Sequence, residues 1–243
     1  MELNVWSQNP AETAALESIS EDTPTREFIA WTLERFAHQR VVMTTSFGME
    51  GCALIDMYAD LGRPMEVIYL DTMFFFPETY RLRDRMIERY PHVEFVNRGT
   101  SLTPEEQAAG YGDELWKRDP DLCCKLRKVD PMVDAMSGVD VWITALRRSQ
   151  SFSRANLRMI DWDWRYQVIK ISPLAKWERG EVWDYVLKHD VPYNELHERG
   201  YPTIGCTHCT QPVAGSSPAD YTRAGRWSHV EKTECGLHGG EGI

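Results

Sequence analysis

The chain has 243 residues, of which 42% are hydrophobic, and carries a formal net charge of −10 at pH 7. This size and apolar content can bury the core of one folded unit, and no run approaches the roughly 20 apolar residues that a membrane helix needs. The acidic balance argues against a nucleic-acid-binding surface, because affinity for phosphate backbones comes from clustered Lys and Arg. The first residues lack the basic-then-apolar order of a secretory signal, so we expect a cytoplasmic protein.

Strands and helices alternate along the predicted chain. Helical periodicity covers residues 25–40, 52–58, 77–89 and 181–187, and apolar strand-like runs cover 41–45, 66–70, 93–96, 139–145 and 166–171. This alternation predicts an α/β fold with a mostly parallel sheet covered by helices on both faces. Ligands of such sheets bind beyond the carboxyl ends of the strands.

The composition changes near residue 215, where glycine and polar residues replace apolar ones. We therefore predict an α/β domain over residues 1–214 and a flexible C-terminal arm over residues 215–243.

Four of the six cysteines form two pairs, Cys123-Cys124 and Cys206-Thr207-His208-Cys209. The Cys-x-x-Cys spacing lets both sulfurs reach one metal ion or one cluster, and without an export signal such pairs are more often metal-binding than disulfide-bonded. Adjacent cysteines reach one centre only with an unusual backbone, which a four-iron cluster tolerates better than zinc does. Zinc remains open, as does a packing role for Cys124.

Cys235 stands apart from these pairs, among glycine and polar residues where little core can form. An exposed thiol on a mobile tail suits a nucleophile, and Arg223, Arg226 or a protonated His238 would lower its pKa. Cys52, in an apolar helix, is predicted to be a buried thiol.

Small-anion binding is predicted from basic pairs and from one turn. The turn Ser46–Gly51 follows a buried strand, as phosphate-binding turns do, although a turn without a ligand has the same appearance. Arg147 and Arg148 follow the fourth strand, where two guanidinium groups suit phosphate or sulfate; the alternative is a surface pair that bridges acidic neighbours. Lys128 is either near the cluster or on a solvated helix face.

Several motifs together resemble the assimilatory sulfonucleotide reductases, the family that reduces adenylyl sulfate or 3′-phosphoadenylyl sulfate. They are Ser-Phe-Gly-Met-Glu-Gly at 46–51, Leu-Asp-Thr at 70–72, Pro-Glu-Thr-Tyr at 77–80, Cys-Cys at 123–124, Leu-Arg-Arg-Ser-Gln-Ser at 146–151, Gly-Tyr-Pro-Thr-Ile-Gly-Cys-Thr-His-Cys-Thr at 200–210 and Lys-Thr-Glu-Cys-Gly-Leu-His at 232–238. The last two motifs are highly specific in combination.

The resemblance implies an adenine nucleotide alpha-hydrolase-like (PP-loop) fold and the branch that carries a [4Fe-4S] cluster. That branch mostly prefers adenylyl sulfate, with 3′-phosphoadenylyl sulfate as the alternative or additional substrate. It also implies thioredoxin, or glutaredoxin, as electron donor in sulfate assimilation and cysteine biosynthesis, and it leaves a homo-oligomer open.

The resemblance assigns roles to individual residues. Cys235 attacks the substrate's sulfate group to form an S-sulfocysteine, with His238 beside it and Lys128 polarising the sulfate. Cluster ligands are Cys123, Cys124, Cys206 and Cys209. Substrate-binding residues are Ser46, Phe47, Gly48, Met49, Leu70, Asp71, Arg147, Arg148, Arg223 and Arg226.

Two positions depart from the family pattern. Met73 stands where a glycine commonly follows the Leu-Asp-Thr segment, and His208 stands where proline is frequent. Two other functions stay open from the residues alone: an ATP-using tRNA-modifying enzyme of the same fold, and a non-enzymatic iron–sulfur sensor or scaffold.

Overall fold

A six-stranded sheet lies at the centre of the computed structural model, which describes residues 19–219, 223–228, 230, 232 and 234–238. Its strands have the spatial order β3-β2-β1-β4-β6-β5. Their bounds are β1 (Val41–Thr45), β2 (Met65–Tyr69), β3 (Val93–Asn97), β4 (Val141–Ile143), β5 (Ile160–Asp163) and β6 (Val168–Ile171). Every neighbouring pair is parallel except β5 and β6. The predicted mostly parallel sheet is therefore confirmed.

Eight α-helices connect or flank these strands in the described part of the chain. They are α1 (Thr25–Arg35), α2 (Met49–Ala59), α3 (Pro77–Arg89), α4 (Pro104–Tyr111), α5 (Leu115–Arg118), α6 (Pro120–Cys124), α7 (Asp130–Ala135) and α8 (Arg179–Lys188). Among these residues no helix is both long enough and apolar enough to cross a bilayer. Of the 29 residues in the predicted arm, 11 lie outside the described residues.

Alternate residues of the central strands pack into two separate cores, one on each face of the sheet. Met43 and Ile143 face the larger core, which α1, α2, α3 and α8 cover. Val42 and Trp142 face the smaller core, where α7 and Leu237 of the tail pack. Side chains of a strand alternate between faces, so burial on both faces explains why these strands read as continuous apolar runs.

Candidate active site

A large cavity opens at the carboxyl ends of the strands, between β1 and β4. Its walls include Ser46 after β1, Leu70 after β2 and Thr144 after β4. β2 and β3 lie on one side of β1, and β4, β6 and β5 lie on the other side. The direction in which strands are added to the sheet therefore reverses between β1 and β4. Such a reversal leaves a crevice between the diverging connections, which is where open α/β sheets bind ligands.

The turn after β1 presents backbone and a helix N-terminus to this cavity. Ser46, Gly48 and Met49 line it, and α2 begins at Met49. At Gly51 a Cβ atom would lie 2.5 Å from Thr45 Oγ1, so a larger residue would push the helix away from the strand. The turn therefore brings the N-terminus of α2 to the cavity, an arrangement that favours an anion.

Two of the residues predicted to bind substrate, Phe47 and Asp71, direct their side chains to other protein groups and not to the cavity. Phe47 has a φ of 58° and only 1% of its surface exposed, and its ring packs against Tyr69. The Asp71 carboxylate accepts hydrogen bonds from Met73 N at 2.7 Å and from the Tyr80 hydroxyl at 2.9 Å. Neither side chain is among those that line the cavity, whereas Leu70 is.

Met73, the first departure from the family pattern, adopts a backbone conformation that favours glycine. Its φ is 56°, in the left-handed region that costs a residue with a Cβ. The hydrogen bond from its N–H to Asp71 holds the turn in that conformation. The chain thus keeps the turn shape without the glycine.

Positive charge predominates on the cavity walls. The charged lining residues are the cations Lys128, Arg154, Arg179, Arg223 and Arg226 and the carboxylates Glu50 and Glu234. An excess of guanidinium and ammonium groups over carboxylates suits a ligand with several negative charges. Three of these cations were predicted from the sequence; Arg154 and Arg179 were not.

Arg147 and Arg148 do not line the cavity. The Arg147 guanidinium is buried and donates to Glu50 Oε1 from Nη2 at 2.8 Å. The Arg148 guanidinium donates to Glu21 and, from Nε, to the Leu157 carbonyl at 2.8 Å. Both arginines pair with acidic neighbours, as in the alternative interpretation, but Arg147 is buried rather than on the surface.

Glu50 joins Arg147 and Arg179 in a buried charge cluster beneath the cavity. Its Oε1 lies 2.8 Å from Arg147 Nη2 and 3.0 Å from Arg179 Nη1. Desolvation raises the pKa of Glu50, but the charges of Arg179 and Arg147 outweigh it and bring the pKa to about 2. The carboxylate therefore stays ionised and anchors the helix N-terminus that faces the cavity.

Replacing Glu50 with glutamine should destabilise the protein by about 3–5 kcal/mol, because two buried guanidinium groups would lose their counter-charge. Urea unfolding at pH 7 measures this change. The ionised carboxylate contributes its stability above its ordinary pKa of 4.5 and loses it as the pH falls towards 2. The difference between wild type and Glu50→Gln should therefore shrink below pH 4.5.

The matched control is Glu66→Gln. Glu66 pairs with Arg40 at 3.0 Å, and both side chains are partly exposed, so its loss should cost under about 1 kcal/mol. Equal losses in the two variants would contradict the role given to Glu50.

The four paired cysteines come together in one small pocket beside the cavity. Cys123 and Cys124 end α6, whereas Cys206 precedes a short 3-10 turn and Cys209 is its last residue. All four line the same pocket, with Arg127, Phe74 and His208. The sequence predicted this convergence. His208 stacks on Trp116 with ring centroids 3.8 Å apart, so it packs against the pocket wall.

The adjacent cysteines themselves lie in a regular α-helix, and the unusual backbone follows them. A π-helical turn spans Lys125–Val129. Single π-helical turns inside helices are frequent at functional sites. This one directs Arg127 inwards, where its guanidinium lies 4.1 Å from the Phe74 ring centroid and donates to the Thr72 carbonyl at 2.8 Å.

Electrostatics couples the thiol pocket to the cavity. Desolvation, and then the neighbouring thiols, raises the pKa of Cys123 to about 12. Lys128 and Cys206 line both the thiol pocket and the cavity. Desolvation lowers the pKa of Lys128, but the thiols of Cys206, Cys124 and Cys235 raise it above its ordinary value. Lys128 is thus a stable cation between the two sites.

Cys235 lies half-buried on the cavity wall. Desolvation raises its pKa, but the Lys128 charge, a hydrogen bond from Leu237 N–H and the Arg226 charge bring it below the ordinary value. A thiol with a lowered pKa beside cations is the usual form of a reactive cysteine. Cys52, by contrast, is fully buried, which confirms the buried thiol predicted there, and desolvation raises its pKa to about 12.

His238 does not supply the positive charge that the sequence suggested. Its ring stacks on Trp142 at 5.0 Å, and desolvation followed by the charges of Lys170 and Arg154 holds its pKa well below 6.5. A neutral imidazole therefore lies on the cavity wall, and the cations near Cys235 are Lys128 and Arg226.

Comparison with known proteins agrees with this geometry. The phosphoadenosine phosphosulfate reductase domain matches residues 40–212. The adenosine 5′-phosphosulfate reductase of Geobacillus kaustophilus (strain HTA426) is 44% identical over 228 residues, covering 94% of this chain and 95% of that protein. That of Halalkalibacterium halodurans is 45% identical over 212 residues, covering 87% and 90%.

Solved structures show the same fold. The phosphoadenylyl-sulfate reductase of Candida auris, in a phosphate complex, superposes with a TM-score of 0.72 at 30% identity, covering 85% of this chain and 98% of that one. The FMN adenylyltransferase of Candida glabrata, at a TM-score of 0.57 and 14% identity, covers 82% of this chain and 70% of its own; it shares the fold alone. The chain belongs to the phosphoadenosine phosphosulfate reductase family.

Proposed function

We propose that the chain reduces adenylyl sulfate to sulfite and AMP through a covalent intermediate on Cys235. The observation that carries this proposal is the position of the Cys235 thiol on the wall of a cation-lined cavity at the edge of the sheet, where the charges of Lys128 and Arg226 lower its pKa. The relatives at 44–45% identity are named adenosine 5′-phosphosulfate reductases, which supports this substrate. The 3′-phosphorylated nucleotide remains the alternative or additional substrate.

The cavity offers a distinct surface to each part of such a nucleotide. Leu70 and the turn from Ser46 form the wall for the nucleoside and its nearest phosphate oxygens. Lys128, Arg223 and Arg226 supply positive charge for the phosphate and sulfate groups. Cations fixed before the reaction stabilise the charge that develops on the leaving phosphate.

The transfer step forms one bond and breaks one. The Cys235 thiolate attacks the sulfate sulfur, and the bond between that sulfur and the bridging phosphate oxygen breaks. AMP leaves with the electron pair of that bond, and Cys235 becomes an S-sulfocysteine. Lys128, which lowers the pKa of Cys235, both favours the thiolate form of the nucleophile and supplies positive charge for the phosphate oxygens that gain electron density.

The second half of the reaction needs a dithiol, which we propose is thioredoxin or glutaredoxin. One thiolate attacks Cys235 Sγ, and sulfite leaves with the electron pair of the S–S bond. The second donor thiol then attacks the mixed disulfide, so Cys235 is restored and the donor becomes a disulfide. The two electrons that reduce the sulfur come from this pair of thiols.

Cys123, Cys124, Cys206 and Cys209 are proposed to hold a [4Fe-4S] cluster. Four thiols line one pocket, Arg127 and Lys128 offset the negative charge of thiolate ligands, and Nη2 of Arg127 is buried without a hydrogen-bond partner among the described residues. Among the described residues, no three His, Cys, Asp or Glu side chains are arranged to hold a single metal ion. When bound, the cluster supplies structural order and an electrostatic influence on Lys128.

The wider assignments follow the same reaction. We propose that the protein acts in sulfate assimilation and cysteine biosynthesis in the cytoplasm, with residues 215–243 as an arm that carries Cys235 between substrate and electron donor. The acidic surface supports neither nucleic-acid nor membrane binding. Assembly into a homo-oligomer remains a prediction.

Incubation with ³⁵S-labelled adenylyl sulfate, without a reductant, tests the proposed reaction. The wild-type protein should gain one labelled sulfur per chain and release one AMP, and reduced thioredoxin should then release the label as sulfite. Adenylyl sulfate should label the protein faster than its 3′-phosphorylated form. A protein that binds adenylyl sulfate without gaining label would contradict the covalent mechanism.

A further inference from the structure

Glu234, the residue before Cys235, places its carboxylate between two arginines of the cavity wall. Its Oε2 lies 2.9 Å from Arg154 Nη2 and 3.3 Å from Arg223 Nη2. Its Oε1 accepts a hydrogen bond from Ser151 Oγ at 3.1 Å. The side chains of Arg154, Glu234 and Arg223 are only 12%, 15% and 18% exposed, so this contact belongs to the cavity wall rather than to the outer surface.

The partners of this carboxylate are those that a phosphate or sulfate group uses. The Arg154 guanidinium and the Ser151 hydroxyl donate to its two oxygens, and the Arg223 guanidinium forms an ion pair with one of them. Phosphate and sulfate oxygens accept from such donors. Neither the attack by Cys235 nor the release of sulfite needs a carboxylate at this point. Glu234 therefore fills a site whose chemistry suits the ligand.

We propose that Glu234 is an internal competitor of the substrate, whose phosphate or sulfate oxygens displace its carboxylate from Arg154 and Arg223. This inference rests on the proposed function, because it takes a nucleotide oxyanion as the displacing group. Displacement separates the residue before Cys235 from the loop that carries Ser151 and Arg154. Substrate binding is thereby linked to freedom of the segment that bears the nucleophile.

Other contacts keep the tail in place when this carboxylate leaves. The Gly236 carbonyl accepts from Arg165, and the Leu237 carbonyl accepts from the Tyr166 hydroxyl at 3.1 Å. Arg165 and Tyr166 lie in the turn between β5 and β6 and do not line the cavity. Replacement of the Glu234 carboxylate by a substrate oxyanion therefore releases contacts only on the N-terminal side of Cys235.

Calorimetric binding of AMP to the full chain tests the competition, because AMP carries a phosphate and undergoes no sulfur transfer. Glu234→Gln removes the competing charge and should tighten AMP binding about threefold to fivefold, the range for a partly exposed ion pair. Glu234→Ala should have an effect of the same sign and size. Thermal unfolding of each variant verifies that it is folded.

Glu78→Gln is the matched control. Glu78 is also 15% exposed and also contacts two arginines, Arg81 at 3.5 Å and Arg199 at 3.3 Å, but it lies on α3 outside the cavity lining. Its substitution should leave AMP affinity unchanged.

AMP binding that is unchanged or weaker in both Glu234 variants would overturn the proposed competition between Glu234 and the substrate. This holds even if Glu234→Gln slows label transfer to Cys235. The covalent reaction is judged separately, by labelling of the wild type. If the wild type gains no label while the Glu234 variants bind AMP more tightly, the competition stands and the proposed reaction fails.

Discussion

Replacing Cys235 with serine should abolish transfer of sulfur from adenylyl sulfate to the protein. A serine hydroxyl at this position stays protonated at neutral pH, whereas the Cys235 thiol has a lowered pKa beside Lys128 and Arg226. We expect the rate of label transfer to fall below about one-thousandth of the wild-type rate, as for loss of other covalent nucleophiles. Rapid-quench measurement of ³⁵S on the protein gives this rate.

The control for this substitution is Cys52→Ala. Cys52 is fully buried in α2, and its raised pKa keeps it a neutral thiol. This variant should retain one labelled sulfur per chain. Label that persists on Cys235→Ser at the wild-type rate would show that another cysteine carries the intermediate.

Replacing Lys128 with methionine should slow label transfer by about 100- to 1,000-fold, the usual effect of removing one charge-stabilising donor. Lys128 makes the largest contribution to lowering the pKa of Cys235, and it also lines the thiol pocket. The lysine therefore acts on the nucleophile and on the substrate's oxygens together. Single-turnover labelling over a range of pH values separates these two effects.

The sign of the pH effect follows from the charge. Because the Lys128 cation favours the Cys235 thiolate, its loss raises the pKa of Cys235, and the pH at which labelling reaches half its maximum should move upwards. Raising the pH should recover part of the rate, and the remaining loss reports stabilisation of the substrate. Lys125→Met is the control, because Lys125 is exposed and pairs with Asp130 at 2.7 Å. An unchanged pH profile in Lys128→Met would contradict its effect on the nucleophile.

Among the described residues, the sequence predicted every strand of the sheet except β5. β1 and α3 have the predicted bounds. β5, with the sequence Ile160-Asp161-Trp162-Asp163, is an edge strand with only its last residue buried, so its apolar pattern is weak. Its antiparallel pairing also depends on contacts that no local pattern encodes.

The cysteines of the candidate site could be predicted, because the spacing of cysteines in the sequence limits what they can bind. The convergence of Cys206 and Cys209 with the adjacent pair follows from ligand spacing. Cys235 could be singled out because it lies among glycine and polar residues that form little core. Arginines were harder to place, because a guanidinium suits a buried ion pair as well as a ligand. Arg147 was predicted to bind the ligand, but it pairs with Glu50 instead. Arg154, seven residues later, was not predicted and lines the cavity.

The π-helical turn at Lys125–Val129 gives this site a dependence on chain length that no single side chain supplies. A π-helical turn holds one residue more than a turn of α-helix, and each helical residue points about 100° away from the one before it. Deleting one residue between Cys124 and Lys128 would close this turn to a regular one and place Lys128 at the position that Arg127 now holds, while leaving Cys123 and Cys124 in place. The interval between Cys124 and Lys128 is therefore as much a requirement of the chemistry as the identity of either residue.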